Sequence, residues 1–281
     1  MATKKKLEPS KLVVFIQNED FFTSGDYEFD MVTEFKKTAA FWKYEVSLIF
    51  IDQKVMKDHD YTTFMQDHGY IGSFMIGFSK EDIWVKQLVD STIPTILLDC
   101  ETPDNPYVSC VGSDHIKGME YAVSYLAKTG HSAIGLINGP ECLLANRLRH
   151  EGYVQSMKNH ELRPLKKLYA NVDESTTIRS AVIQMIKAKA DAVICGSDKI
   201  ASTVMNEYRI HGYRTPQDIS IIGYQNLSLC EKSFPQLTSI AEHRAQLGYF
   251  AFSSLRDLMM GMHLEQVRLR TELMIRGSVR E

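Results

Sequence analysis

The sequence predicts an α/β protein of two lobes, each a doubly wound parallel sheet with helices on both faces. Three observations carry this. Apolar runs of strand length recur without polar alternation, segments with helical apolar spacing separate them, and the pattern passes through two successive series. A strand that is apolar on both faces needs helices on both sides of its sheet, which is the parallel, crossover-connected arrangement.

The first series opens with Leu12-Val13-Val14-Phe15-Ile16, a continuous apolar run. Phe29, Val32, Phe35 and Ala39 then repeat at the spacing of one helix face over 29–41. Residues 46–51 read as a second buried strand, 61–66 as a helix, 74–76 as a strand, 83–89 as a helix and 95–98 as the closing strand. The second series runs helix 116–127, strand 133–137, helices 146–159 and 177–188, strand 192–195, helix 200–211 and strand 219–222. Gly130 and Gly212 stand where helix-ending glycines stand, with Pro216 just beyond the second as a stop. Ser197 or Asp198 caps the helix after strand 192–195. No low-complexity tract separates the two series, so short crossings are expected between the lobes.

Composition narrows the function. With 281 residues, 44% apolar and 24% charged, the chain can bury a sizeable core. A net charge of −3 leaves no basic surplus of the kind a stand-alone nucleic-acid binder carries. The longest apolar runs are strand-sized, so no membrane partner is expected. Residues 1–11 form a lysine-bearing tail without the apolar run of a signal peptide. The five cysteines are scattered with no C-x-x-C pair, which points away from zinc or redox work. They read as buried apolar residues in a reducing compartment, hence a cytoplasmic protein.

Ligands of doubly wound sheets sit at the carboxyl ends of the strands. That rule selects 17–27 after the first strand, Asp99 after the fourth, and Asn138-Gly139-Pro140, Gly196-Ser197-Asp198 and Tyr224-Gln225-Asn226 in the second series. Aromatic, amide and carboxylate groups dominate these loops. Singly such residues cap helices and make turns; converging, they suit a polyhydroxylated or heterocyclic small molecule. Enzyme patterns are missing: there is no G-x-G-x-x-G, Walker A loop, G-x-S-x-G or H-E-x-x-H. His131 reads as a satisfied structural histidine and His150-Glu151 as a solvated helix face. No catalytic residue, metal site or cofactor is expected.

Several segments together resemble the effector-binding core of the lactose/galactose-repressor (LacI/GalR) family. They are Gly130-His131-Ser132-Ala133-Ile134-Gly135-Leu136-Ile137-Asn138-Gly139-Pro140 followed by Arg149-His150-Glu151-Gly152-Tyr153, with Ser113-Asp114-His115 upstream. Downstream come Gly196-Ser197-Asp198-Lys199-Ile200-Ala201, Pro216-Gln217-Asp218-Ile219-Ser220-Ile221-Ile222-Gly223-Tyr224, 235–240 and 272–278. The resemblance implies a periplasmic-binding-protein-like fold with three hinge crossings. Lobe 1 is then 12–111 plus 242–264 and lobe 2 is 112–241 plus 265–281. It also implies a homodimer, a small-molecule effector in the cleft between lobes, and DNA contact only through a helix-turn-helix head outside this chain.

By the same resemblance, Arg149 grips the ligand with its planar fork. Tyr27 falls where the family places cleft aromatics, with Asp26 beside it and Phe21 and Phe22 as rivals; this stretch is also similar to the arabinose repressor. Asp99, Ser197 and Gln225 complete the expected set. Gln225 stands where the family usually has aspartate and Ser197 where it has asparagine, which leaves sugar and non-sugar effectors both open. A cleft arginine facing water would leave apo stability unchanged on removal. The sequence reading is therefore the ligand-sensing domain of a transcriptional regulator. A sugar-binding protein of a transport system is the alternative, and a glycoside-acting enzyme the third.

Overall fold

Described in the computed structural model are residues 10–17, 27–173 and 175–281, the side chains of Ser175 and Thr176 excepted. In chain order the first elements are β1 (Lys11–Gln17), α1 (Tyr27–Phe41), β2 (Glu45–Ile51), α2 (Gln53–Asp58), α3 (Tyr61–Asp67), β3 (Tyr70–Ile76), α4 (Ile83–Gln87), β4 (Thr95–Leu98) and β5 (Val108–Ser113). Next are α5 (His115–Lys128), β6 (Ile134–Asn138), α6 (Leu144–Asn159), β7 (Tyr169–Asn171), α7 (Ser175–Lys187), β8 (Ala192–Cys195), α8 (Asp198–Ile210), β9 (Ser220–Gln225), α9 (Leu229–Lys232) and β10 (Thr238–Ala241). The chain ends with α10 (Arg244–Met259), β11 (Gln266–Leu269) and β12 (Glu272–Met274).

These elements form two compact units, Met1–Gly112 with Arg244–Val267, and Ser113–His243 with Arg268–Glu281, so the chain passes from one to the other three times. Each unit is built on one six-stranded sheet. The first has the order β11-β5-β4-β3-β1-β2 and the second β12-β10-β9-β8-β6-β7. Strands β1 to β5 pair in parallel, as do β6 to β10, while β12 runs antiparallel to β10.

In the second unit, alternation along the strands feeds two cores. Val193 and Cys195 pack with Val182, Met185, Val204 and Tyr208 of α7 and α8. Their neighbours Ala192 and Ile194 pack with Met119, Val123, Tyr153 and Met157 of α5 and α6. A strand apolar at every position is thereby fully used. The first unit does the same. Val13, Phe15, Met75 and Leu97 pack with Tyr61, Met65 and Trp84, while Phe74 stacks on Phe35 at 5.4 Å and Phe35 meets Phe252 edge-on. The helices α1 and α10 approach closely because Gly248 has no side chain: a Cβ there would overlap the Met31 carbonyl.

Some sequence expectations need correction. Strand β2 is an edge strand, paired only with β1, and most of it is half-buried rather than buried. Strands β5, β7, β10, β11 and β12 and helices α2, α9 and α10 are absent from the sequence expectation. Cys142 is exposed, whereas the other four cysteines are buried. His150 is half-buried and stacks on the Tyr169 ring at 3.9 Å, so it is no freely solvated residue.

Candidate functional site

The carboxyl edge of the second sheet is assembled around asparagine. At the end of β6, buried Asn138 donates from Nδ2 to the Asn146 carbonyl at 2.7 Å, and Asn146 Nδ2 donates to the Pro140 carbonyl at 2.9 Å. These bonds fix the loop into α6. Gly196, after β8, must lack a side chain, since a Cβ would come within 2.5 Å of Asn138 Oδ1.

This frame aims Arg149. Its Nη1 donates to the Gly196 carbonyl at 3.0 Å and to Asn146 Oδ1 at 3.1 Å. The guanidinium lies 4.2 Å over the Tyr224 ring, a cation–π contact that strengthens as water is removed. Its Nη2 lies 3.7 Å from Glu242 Oε2, with the two side chains 8% and 0% exposed. Arg149 is therefore not the water-facing arginine that its residue type suggests. It is held in a buried ion pair, so the premise that its removal strands no buried partner does not hold. Tyr224 is held at its phenol oxygen by His115, whose Nδ1 lies 3.1 Å away.

Ser197 is half-buried and caps α8, its Oγ accepting from the Ile200 amide at 3.2 Å. Asp198 is the first helical residue and fully buried. Its carboxylate accepts from Ser239 Oγ and from the Leu227 amide, both at 2.6 Å, which ties down the chain after β9. Burial raises its pKa above the usual carboxylate range, with those two bonds opposing the shift. Gln225 is half-buried, and both it and Asn226 are left-handed, with φ of 101° and 51°. Side-chain-bearing residues in that region are strained, and such strain gathers at ligand clamps. Asn226 is anchored through its amide to Ser239 Oγ and through Oδ1 to Arg276 Nη2, at 3.1 and 2.8 Å.

In the first unit, Asp99 follows β4, half-buried and left-handed at φ 43°, with its amide bonded to the Val111 carbonyl at 3.0 Å. Tyr27 is the half-buried first residue of α1. Asp26, Phe21 and Phe22 lie outside the described residues. The carboxyl edge of this sheet also carries a polar cluster. Asp82, buried, accepts from Gln53 Nε2 at 2.6 Å and from the Ser79 amide at 2.7 Å. The Gln17 amide satisfies its neighbours with its nitrogen toward Gly77 O and Asp82 Oδ2, at 2.8 and 3.1 Å, and its oxygen toward Gln53.

Sequence reasoning missed Glu242, His115 and Asp82 as site groups. The carboxyl-end rule would have reached Glu242 had Thr238–Ala241 been taken as a strand. Among the described residues no helix is long and apolar enough to cross a membrane.

Comparison with known proteins follows the same lines. A family model described as a periplasmic binding protein-like domain matches residues 123–279. The HTH-type transcriptional repressor CytR of Escherichia coli is 31% identical over 193 residues, covering 67% of this chain and 57% of the repressor. The probable HTH-type transcriptional repressor ExuR of Bacillus subtilis is 26% identical over 232 residues, covering 80% of this chain and 68% of that protein. The chain thus spans little more than half the length of CytR. Among solved structures, a complex of the transcriptional regulator CelR with cellobiose aligns at a TM-score of 0.87, with 19% identity, covering 96% of this chain and 85% of that one. The Lac repressor dimer bound to operator and the anti-inducer ONPF aligns at 0.84, with 20% identity, covering 98% and 96%. These structures share the fold.

Proposed function

We propose, from the premise that this chain belongs to the periplasmic binding protein-like domain family, that it is the effector-sensing core of a transcriptional regulator of the lactose-repressor type. The observation that carries the reading is Arg149, placed by α6 over Tyr224 at the carboxyl edge of the second sheet. The position is the one where the sequence motif puts a ligand-gripping arginine. A planar fork backed by a ring suits a small polar molecule with hydroxyl or amide groups. Ser197 and Gln225 are the further effector-binding residues proposed from the second unit, and Tyr27, Asp26 and Asp99 those from the first. The core binds and does not catalyse. It acts in the cytoplasm as a homodimer, and operator DNA is contacted through a helix-turn-helix head. Effector binding shifts the balance between conformations that the head senses.

A thermal-shift screen of pentoses, hexoses, disaccharides and nucleosides tests this. A ligand at a hundred-fold excess over its Kd adds about 2.7 kcal/mol of stability. No stabilisation by any of them would overturn the reading. Arg147, which donates to the Glu141 and Cys142 carbonyls on an exposed face, serves as the control: Arg147→Ala should bind a hit like the wild type.

A further inference from the structure

We propose that Glu242 sets the charge of this site, and with it the effector class: by holding and neutralising Arg149 it restricts the effector to an uncharged, hydroxylated molecule. The inference rests on the reading of Arg149 as an effector contact. Glu242 directly follows β10, and its side chain is fully buried. A carboxylate there needs a countercharge, and the Arg149 guanidinium at 3.7 Å supplies it. The other contacts described for that guanidinium, the Gly196 carbonyl, Asn146 Oδ1 and the Tyr224 ring, are formally neutral. The arginine is thus held in a fixed orientation with its charge already answered.

A phosphate or carboxylate seeks an unanswered cation and would compete with Glu242 for the same fork. A hydroxyl needs only a donor in a fixed direction. Ser197 and Gln225, proposed beside Arg149 in the second unit, point the same way, since both are uncharged. Glu242 is a positioning residue that works through Arg149.

The test measures specificity in the full chain. Wild type, Glu242→Gln and Glu242→Asp are titrated by calorimetry with ribose, cytidine and cellobiose, and with ribose 5-phosphate, cytidine 5′-monophosphate and cellobionate as anionic counterparts. Wild type should prefer a neutral form over its anionic counterpart by about tenfold or more, which is one decade of affinity. Glu242→Gln should erase or reverse that ratio, and Glu242→Asp should keep its direction. An anionic counterpart binding wild type as well as the neutral form, or an unchanged ratio in Glu242→Gln, overturns the proposal.

Inorganic phosphate, measured against potassium chloride at equal ionic strength, gives an arm that needs no known effector. It should leave the melting temperature of wild type unchanged, raise that of Glu242→Gln, and not raise that of Arg149→Ala/Glu242→Gln. If Glu242→Gln does not fold, the proposal is decided on wild type and Glu242→Asp: phosphate stabilising either one overturns it. Failure of every neutral probe with the phosphate pattern intact counts against the effector reading, and not against the role of Glu242.

Discussion

Buried charges at the two carboxyl edges are compensated in two styles, by dipoles and by an opposite charge, and Asp198 of the second unit follows the first style through Ser239 and the Leu227 amide. In the first unit, buried Asp82 is answered by dipoles: the Gln53 and Gln17 amides, the Ser79 backbone N–H and its hydroxyl. In the second unit, buried Arg149 is answered by an opposite charge on Glu242, with carbonyl, amide and aromatic contacts around it. Neutral donors can turn to other partners when their acceptor goes. A buried charge whose partner is removed has no such freedom. The same topology therefore holds one buried charge that tolerates the loss of a partner and one that does not, and the intolerant one is the arginine proposed to grip the effector.

The largest effect should come from Arg149→Ala. Removing one member of a buried pair costs about 3–5 kcal/mol, because the remaining charge is stranded. At roughly 2–4 °C per kcal/mol for chains of this size, the melting temperature should fall on the order of 10 °C. Arg149→Ala combined with Glu242→Gln should lose less than the two single changes summed, since the stranded charge is gone. Additive losses in thermal melts would show that the pair does not hold the second edge together, and the contrast between the two edges would collapse.

How the pair escaped the sequence reading is a matter of residue type. Strand 192–195 was legible to the residue because Ala-Val-Ile-Cys is apolar throughout and central in its sheet. Helix ends were legible at Gly130 and Gly212, whose φ of 86° and 83° only glycine adopts freely. Residues 46–51 looked equally buried, yet an edge position gives a strand one neighbour and leaves it half covered. Tyr169-Ala170-Asn171 and Thr238-Ser239-Ile240-Ala241 are too short and polar to announce strands, so the carboxyl-end rule does not reach the residue after β10. Arginine and glutamate are exposed by default. Only the three-dimensional meeting of α6 with the ends of β9 and β10 buries Arg149 with Glu242. The motif placed the arginine; its partner was invisible without the fold.

A smaller loss is expected from Asp82→Ala in the first unit. The change removes charge-assisted hydrogen bonds, each worth roughly 1.5–3 kcal/mol, but it strands no charge, and the neutral amides and hydroxyl left behind recover most of that by finding new partners. Asp82→Asn should recover part of the loss, because an amide oxygen still accepts from Gln53 and Ser79. A loss from Asp82→Ala as large as that from Arg149→Ala would break the distinction between dipole and charge compensation.

The smallest effect is a slope with pH, and it should belong to the second unit alone. Each sheet has a buried polar crosslink away from its edge. In the first unit the Tyr61 phenol lies 2.8 Å from Ser73 Oγ and 2.7 Å from Thr95 Oγ1. Burial pushes its pKa up to about 12, so it stays neutral through the ordinary range. In the second unit His131 fills this role, its Nε2 2.8 Å from Ser220 Oγ and its Nδ1 3.1 Å from the Leu126 carbonyl. Burial, the largest influence, lowers its pKa below the usual 6.5, against the opposing pull of the Leu126 carbonyl and Asp191. The unfolded chain then takes up a proton that the native chain refuses. Stability from His131 is complete above pH 6.5 and is lost as the pH falls from there toward the lowered native value. One proton sets a ceiling of about 1.4 kcal/mol per pH unit on that slope. Melting curves of wild type and His131→Gln between about pH 8 and about pH 5 measure it directly. The variant should be less stable at the upper end and flatter across the series. Hydrogen exchange over the same range should place the acid-induced loosening around α5, β9 and the segment 278–280, whose Arg280 amide shares Ser220 Oγ with His131. Equal slopes in the two proteins, or loosening centred on Tyr61, would show that the acid response has another source and that the two crosslinks do not differ in the way their chemistry requires.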